Sequence, residues 1–409
     1  MFEVIDAEEA KSIVEENFAA TCGEEEMPIE SALHRVLARA TVSPEDMPPF
    51  PRATMDGYAV KAEDTFGASD SFPLVLKLKG EVPMGEMPAQ TVSRGETVQV
   101  ATGSVLPEGA DAVIMLEYIE NLSSEEIMIY RAVAPGDNII KKGEDYPANS
   151  TVLPSGHVLR AQDLGALAGL GITTVKVYRQ PVVAVVSTGD EIVDCREKPG
   201  PGQIRDINTT VLSSLITTCG GVPVAMGIVP DKKERLKNSL EEAVERADIV
   251  LISGGSSVGA RDVTVEAIES CENGKIYFHG IAVRPGKPTI MGQAYKKPVF
   301  GLSGNPVSAM TGFLLLVKPL IRRMSGMTRY TTCPREVTAV LQRNLPSTTG
   351  REDYYRVYLH EEGERYTAKP VLGPPGLINT MVNAHGLLRI PRNTEGLYQG
   401  EEVTVEILD

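Results

Sequence analysis

The sequence predicts a multidomain α/β plus β chain. Its parts are a central doubly wound α/β domain, a helical unit in two pieces, an inserted small β domain and a C-terminal β-barrel domain. Three observations predict this. From Pro181 to about residue 323, short β-branched runs alternate with helical stretches, the mark of a parallel sheet covered on both faces. Residues 72–131 and 328–409 carry short runs cut by Gly and Pro, as small β domains do. The length of 409 residues exceeds one ordinary core.

In order, residues 1–44 read as two helices. Asp6 caps the first, whose apolar positions Ala10, Ile13, Val14 and Phe18 fall at helical spacing. Pro28 opens the second, with Ile29, Leu33, Val36 and Leu37 as its stripe. Both stripes need burial, against this chain or a second copy. The pattern breaks at SPEDMPPFPRATMDGYAV, where Pro44, Pro48, Pro49 and Pro51 force an extended path. Residues 45–140 then form the inserted β domain, with strands in LVLKLKGEV, ETVQVATG, ADAVIMLEYIE and EIMIYRAV. Residues 141–177, with a helix at Gln162–Ala168, return to pack with 1–44.

Residues 178–327 are the α/β domain. Strand Val182–Val186 ends in Ser187-Thr188-Gly189-Asp190-Glu191; helix 208–219, strand Val222–Val229 and helix 232–246 follow. The central stretch is ADIVLISGGSSVGARD, a buried strand that opens into a Gly/Ser loop and feeds a helix at about Val263. Ser253, Gly254, Gly255, Ser256, Ser257 and Gly259 thus form a cradle of backbone N–H groups and hydroxyls at a helix start, suited to an anion. A Gly-rich turn that binds nothing is the plainer alternative. A strand near Ile276 leads to Ala282-Val283-Arg284-Pro285-Gly286-Lys287-Pro288. VFGLSGNPVSAM then places a strand, the loop Gly304-Asn305-Pro306 with Ser308 beyond it, and helix 306–323. Residues 328–409 are the last unit, an antiparallel barrel carrying Arg351, Arg356 and Arg389.

Ligands of open parallel sheets bind beyond the carboxyl ends of the strands. Asp190, Glu191, Asp231, the 254–259 loop, Asp262, Arg284, Lys287 and Asn305 all follow predicted strands, so they share one edge. Each acid alone reads as a helix cap, but carboxylates beside an anion cradle and basic side chains suit a Mg²⁺-bridged phosphate.

The net charge of −15 argues against a nucleic-acid surface or adhesion to anionic membranes. Cys22, Cys195, Cys219, Cys271 and Cys333 lack metal-ligand spacing and read as buried free thiols of a reducing compartment. The acidic N-terminus does not read as a targeting segment, and no apolar run approaches a membrane span. A cytoplasmic protein is expected.

Together the ordered motifs PPFPRATMDGYAV, ATGSVLPEGADAVI, KKGED, STGDE, GQIRDIN, ISGGSSVGARD, RPGKP and SGNPVSA resemble the MoeA-type molybdopterin molybdenumtransferases, relatives of the gephyrin E domain. The resemblance implies a dimerisation role for the helical unit and molybdopterin binding by the α/β domain. It implies a homodimer whose site lies between the α/β domain of one subunit and the inserted domain of the other. It also implies a Mg²⁺-dependent step that takes adenylylated molybdopterin and molybdate and releases AMP, with the molybdopterin adenylyltransferase as a further partner. Carried over by motif, the catalytic positions are Asp56, Thr102, Asp145, Glu191, Asp231, Asp262 and Lys287. Asp190, Glu191 and Asp262 are the expected metal ligands. The cradle, Arg284, Pro288, Gly304, Asn305, Pro306, Ser308, Arg351 and Thr380 are the expected substrate contacts.

Two positions depart from the family pattern. Ser303 stands where the family loop usually has Pro, and Asn379-Thr380 align with adjacent serines. These departures leave tungstate open beside molybdate. A non-catalytic scaffold and a nucleotide pyrophosphatase are the alternatives from other classes. The pterin supplies its own sulfur ligands, so no protein thiol is required. Oxyanion charge calls for Arg and Lys, here Arg284 and Lys287 opposite Arg351 and Arg356.

Overall fold

The computed structural model describes residues 4–18, 20–254, 258–327, 335–363 and 365–408, with backbone alone for 258–262. The predicted first helix spans Ala7–Phe18, and Asp6 caps it by accepting a hydrogen bond from Glu8 N at 2.9 Å. Its stripe of Ala10, Val14 and Phe18 shares a core with Phe300, Phe313 and Leu320 of the α/β domain.

Residues 28–40 correct the sequence reading, because they are not a second helix. Only Ile29–Ser31 make a short 3₁₀ turn. Strand Glu24–Pro28 before it pairs with Thr174–Tyr178. His34 then takes a left-handed φ of 64°, and its N–H bonds to Leu159 O, while Leu37 N–H bonds to His157 O. Backbone groups satisfied across the chain leave no helical ladder. The unit expected to be helical is therefore largely extended. Ile29, Leu37, Leu153, Leu159, Leu167 and Val177 form its core, with the helix Ala161–Gly169 packed on it. Of the two places open to the apolar stripes, this chain or a second copy, they are spent inside this chain, Leu33 excepted.

The inserted domain is one sheet in the order Ala112–Met115, Gly57–Val60, Glu96–Val100, Leu74–Glu81, Glu126–Ile129, Ile119–Asn121. Its two cores draw only on residues 53–139 and share no member with the α/β cores.

The α/β sheet runs Val222–Val229, Val182–Thr188, Ile249–Gly254, Lys297–Leu302, Ile290–Ala294, Lys275–His279. The first four strands are parallel; Ile290–Ala294 is antiparallel to both neighbours. Near-continuous β-branched runs are buried on both faces, as a covered parallel sheet demands. The helix after the cradle starts at Val258, earlier than the sequence suggested.

The last unit is a closed five-stranded barrel. Glu352–Glu362 pairs with both Arg365–Pro370 and Gly386–Ile390, and Glu336–Leu341 and Glu402–Ile407 complete the ring. It departs from the antiparallel expectation in one pair, Glu336–Leu341 with Arg365–Pro370, which is parallel. Val283–Arg284 of the α/β domain pairs with Glu352–Asp353, so one ladder crosses the domain boundary. Among the described residues no helix is long and apolar enough to cross a membrane. Cys219 and Cys271 are buried and in no disulfide, as expected, but Cys195 is exposed and Cys22 half-buried; Cys333 lies outside the described residues.

Candidate functional site

At one end of the sheet edge stand the acids. Asp231 follows strand Val222–Val229 and Asp190 follows Val182–Thr188, which are neighbours. The Thr188 hydroxyl donates to Asp231 Oδ1 at 2.5 Å, and Asp231 N–H reaches Asp190 Oδ1 at 3.4 Å. The next helix begins at Lys233 without a side-chain cap, so Asp231 is not the cap it could have been. Glu191 lies beside them, its carbonyl accepting from Ile204 N. Gly254 ends the adjacent strand at φ 129°, where a Cβ would stand 1.9 Å from Thr188 O.

Gly255, Ser256 and Ser257 lie outside the described residues, as do the side chains of Val258 to Asp262; the cradle and the Asp262 carboxylate fall there. Among the described residues no group of three His, Cys, Asp or Glu side chains is placed to hold a metal ion. The donors that do meet, Asp190, Asp231 and Thr188, are all oxygens, the chemistry Mg²⁺ takes.

A missed residue fastens this edge. Asn208 Nδ2 donates to Ser253 Oγ at 2.8 Å and Gly304 O at 2.9 Å, tying two strand ends together. The hydroxyl pair Ser187–Thr209 secures a third. GQIRDIN is therefore the stitch beneath the loops, a role that only tertiary contact reveals.

At the other end, a cavity of about 1060 Å³ opens between the α/β domain and the barrel. Arg284, Lys287 and Pro288 line one wall, with Ser303, Asn305 and Ser308 beside them; Arg343, Arg351, Asp353 and Arg356 line the other. Among the described residues five cationic side chains meet one carboxylate there, and the sequence reading does not include Arg343. Arg351 donates to Asp353 Oδ1 at 2.9 Å. Arg389 pairs with Glu352 at 2.7 Å and is already spoken for. Arg356 differs. It is 7% exposed, donates from Nη2 to Gly373 O at 2.8 Å, and its buried Nε has no partner. Burial pushes its guanidinium pKa down, and the nearby Arg284 charge pushes the same way. A buried guanidinium among four other cationic side chains on one cavity is arranged for an anion.

Ser303 supports the loop it departs in, its hydroxyl accepting from Asn305 N–H at 3.2 Å. Gly304 and Pro306 shape that loop, with Pro306 opening helix Pro306–Gly312. Thr380 is buried in the short helix Asn379–Val382, its hydroxyl donates to Leu377 O at 2.8 Å, and it stands behind Gly373 of the cavity lining.

The inserted domain carries a third group. Thr102 donates to Asp56 Oδ1 from its N–H at 2.7 Å and its hydroxyl at 2.9 Å, holding that carboxyl below the usual range. Gly57 packs its Cα against the neighbouring strand, where a Cβ would meet Ile114 O at 1.9 Å. Asp56 is thus presented outward from a fixed turn. Asp145 is exposed in the turn after Ile139–Ile140, a strand paired with Arg52–Ala53, and its N–H bonds to Met47 O.

An α/β sheet with an acidic strand edge, a cationic cavity against a β barrel and an inserted β domain defines a multidomain α/β plus β protein. The comparisons are specific. Family models match along the chain: the MoeA N-terminal region (domain I and II) at residues 5–171, a probable molybdopterin binding domain at 184–323, and the MoeA C-terminal region (domain IV) at 338–408. A molybdopterin molybdenumtransferase of Haemophilus influenzae is 32% identical over 98% of this chain and 97% of its own. One from Bacillus subtilis is 31% identical over 93% and 89%. A solved MoeA protein of Pyrococcus horikoshii superposes with a TM-score of 0.84 at 41% identity, covering 99% of each chain. The chain belongs to the MoeA-type molybdopterin molybdenumtransferase family, enzymes of molybdenum cofactor biosynthesis.

Proposed function

We propose that this chain inserts molybdate into adenylylated molybdopterin and releases AMP. The observation that carries the reading is the cationic cavity with its buried Arg356, whose Nε has no partner, at one end of a sheet edge whose other end presents carboxylates. The cations receive the oxyanion: Arg284 and Lys287 from the α/β domain, Arg343, Arg351 and Arg356 from the barrel. The acids and the 254–259 loop receive the adenylyl phosphate. There an oxygen nucleophile held in line adds to phosphorus, the bond to the pterin side breaks, and AMP leaves. Bound Mg²⁺ would neutralise the phosphate oxygens, with Asp190, Glu191 and Asp262 as its ligands and Asp231 adjoining. Asp190 accepts from Asp231 N–H at the strand ends, and the Thr188 hydroxyl orients Asp231.

The Asp56–Thr102 group rests on a sheet with its own cores, which supports a site completed by the inserted domain of a second copy. The working form is then a cytoplasmic homodimer, supplied by an adenylyltransferase. Because Ser303 and Asn379-Thr380 depart from the family pattern, tungstate stands as a competing oxyanion. Purified protein with adenylylated molybdopterin, molybdate and Mg²⁺ should release AMP; no release above the uncatalysed rate rejects the proposal. Release from pterin-free nucleotides would instead indicate a pyrophosphatase.

A further inference from the structure

The two walls of the cationic cavity are joined a second time, by the N-terminal strap. Ile5 N–H bonds to Gly280 O at 3.2 Å and Ala282 N–H bonds to Ile5 O at 2.8 Å, so the strap lies along the segment leading into Arg284 and Lys287. Val4 itself lines the cavity. The next residue, Asp6, faces the barrel, and its Oδ2 accepts from Arg392 Nη1 at 2.6 Å. Arg392 in turn accepts at its carbonyl from Gly350 N at 2.9 Å, and Gly350 and Arg351 belong to the opposite wall. Beside the ladder of Val283–Arg284 with Glu352–Asp353, a second path from wall to wall therefore runs through Ile5, Asp6 and Arg392.

We propose that Asp6 is a positioning residue for oxyanion binding, its ion pair with Arg392 setting the gap between the Arg284–Lys287 wall and the Arg351 wall. The helix Ala7–Phe18 anchors the strap from behind, since its apolar face is buried in the α/β core. Asp6 touches no substrate in this scheme. It acts through Arg392 and the 350–351 turn, so its loss weakens affinity and spares the chemistry at the distant acids.

The inference rests on reading the cavity as the oxyanion site, and the test separates the two. Tungstate alone is titrated calorimetrically into full-length protein carrying Asp6→Arg, Arg392→Asp or both, with thermal melts confirming the fold. Arg392→Asp should weaken tungstate binding by about fivefold, the scale of a partly exposed ion pair replaced by a like-charge contact, Asp6→Arg by at least as much because it also removes the cap on Glu8 N, and the double reversal should bind more tightly than either single variant. In turnover, half-saturating molybdate should rise in the single variants while AMP release at saturation stays unchanged. Single variants that bind like wild type, or a double variant no better than its parents, overturn the role of Asp6. A wild-type protein that shows no tungstate binding overturns the cavity reading and the strap with it.

Discussion

Replacing Arg356 by Met should raise the stability of the free protein while removing the stabilisation that an oxyanion confers. The side chain is 7% exposed, keeps one hydrogen bond to Gly373 O, and leaves Nε without a partner. An orphaned buried donor costs about 1–3 kcal/mol, and an uncompensated buried charge costs several more. Against that, the bond to Gly373 O contributes ~1.5–3 kcal/mol because its donor is charged. Met keeps the aliphatic bulk, so the free variant should gain ~1–2 kcal/mol. Wild type in molybdate at a hundred times Kd gains ~2.7 kcal/mol, and the variant gains little. The order of the two proteins should therefore invert between urea titrations with and without molybdate. A variant that is less stable than wild type without molybdate, yet still stabilised by it, refutes the assignment of Arg356 to an anion.

Three further outcomes are expected. Asp56→Ala and Asp262→Ala, each inactive, should rescue one another after subunit exchange to about a quarter of wild-type AMP release, since half the dimers are mixed and each has one complete site. Exchange verified with tagged chains, but without recovered activity, excludes a shared site. Gly254→Ala drives a Cβ to 1.9 Å from Thr188 O at a φ of 129°, so the strand end must shift; a large drop in melting temperature should accompany lost activity. Asp163 is buried, which by itself raises a carboxyl pKa, but hydrogen bonds from Arg160 and His157 outweigh this and hold it well below the usual range. Its folded pKa lies below the unfolded one, so its contribution is complete above about pH 4 and is lost as pH falls further. Asp163→Asn should be less stable at neutral pH and flatter in acid, measured by urea midpoints from pH 7 to pH 2; an unchanged acid slope defeats the argument.

The sequence exposed the α/β sheet most clearly because strands such as Val182–Thr188 and Ile249–Gly254 are buried on both faces, which leaves an unbroken apolar run. Residues 28–40 failed for the opposite reason. Ile29, Val36 and Leu37 satisfy a helical period, yet their burial comes from strands that return more than a hundred residues later, and His34 turns the chain where no Gly or Asn announces it. Strand Ile290–Ala294 was overlooked likewise. Its hairpin turns on Tyr295 and Lys296, both at positive φ, without the Asn-Gly or Asp-Gly signal. At the site, the RPGKP motif gives Arg284 and Lys287 and the barrel pattern gives Arg351, Arg356 and Arg389; the sequence sets Arg351 and Arg356 opposite the first pair but carries no physical reason to prefer Arg356 to Arg389. Both lie on barrel strands; only the fold gives one of them Glu352 and leaves the other's Nε unmet.

The separation of the two charged regions bears on what the site can hold. Asp190 follows the second strand of the sheet, whereas Arg284 and Lys287 connect its last two. At ~4.8 Å between strands, that offset is on the order of 15–20 Å along one edge. No single phosphate or oxyanion reaches both regions, so either they serve separate small ligands or one long ligand spans them. The fastening beneath the edge favours the second. Asn208 ties the 249–254 strand end to the 303–304 loop, which lies between the acids and the cationic cavity, so the intervening floor is held as one piece. Under the proposed reading, the adenylyl phosphate lies over the carboxylates and the metal-receiving end of the pterin lies in the cationic cavity. A ligand lacking either end should then bind more weakly than the whole by far more than either region's loss alone would suggest, because the two ends share one immobilisation cost. Titrations with AMP, with molybdopterin and with the intact adenylate measure that excess. An intact adenylate that binds no tighter than its better half would show that the edge holds two sites rather than one.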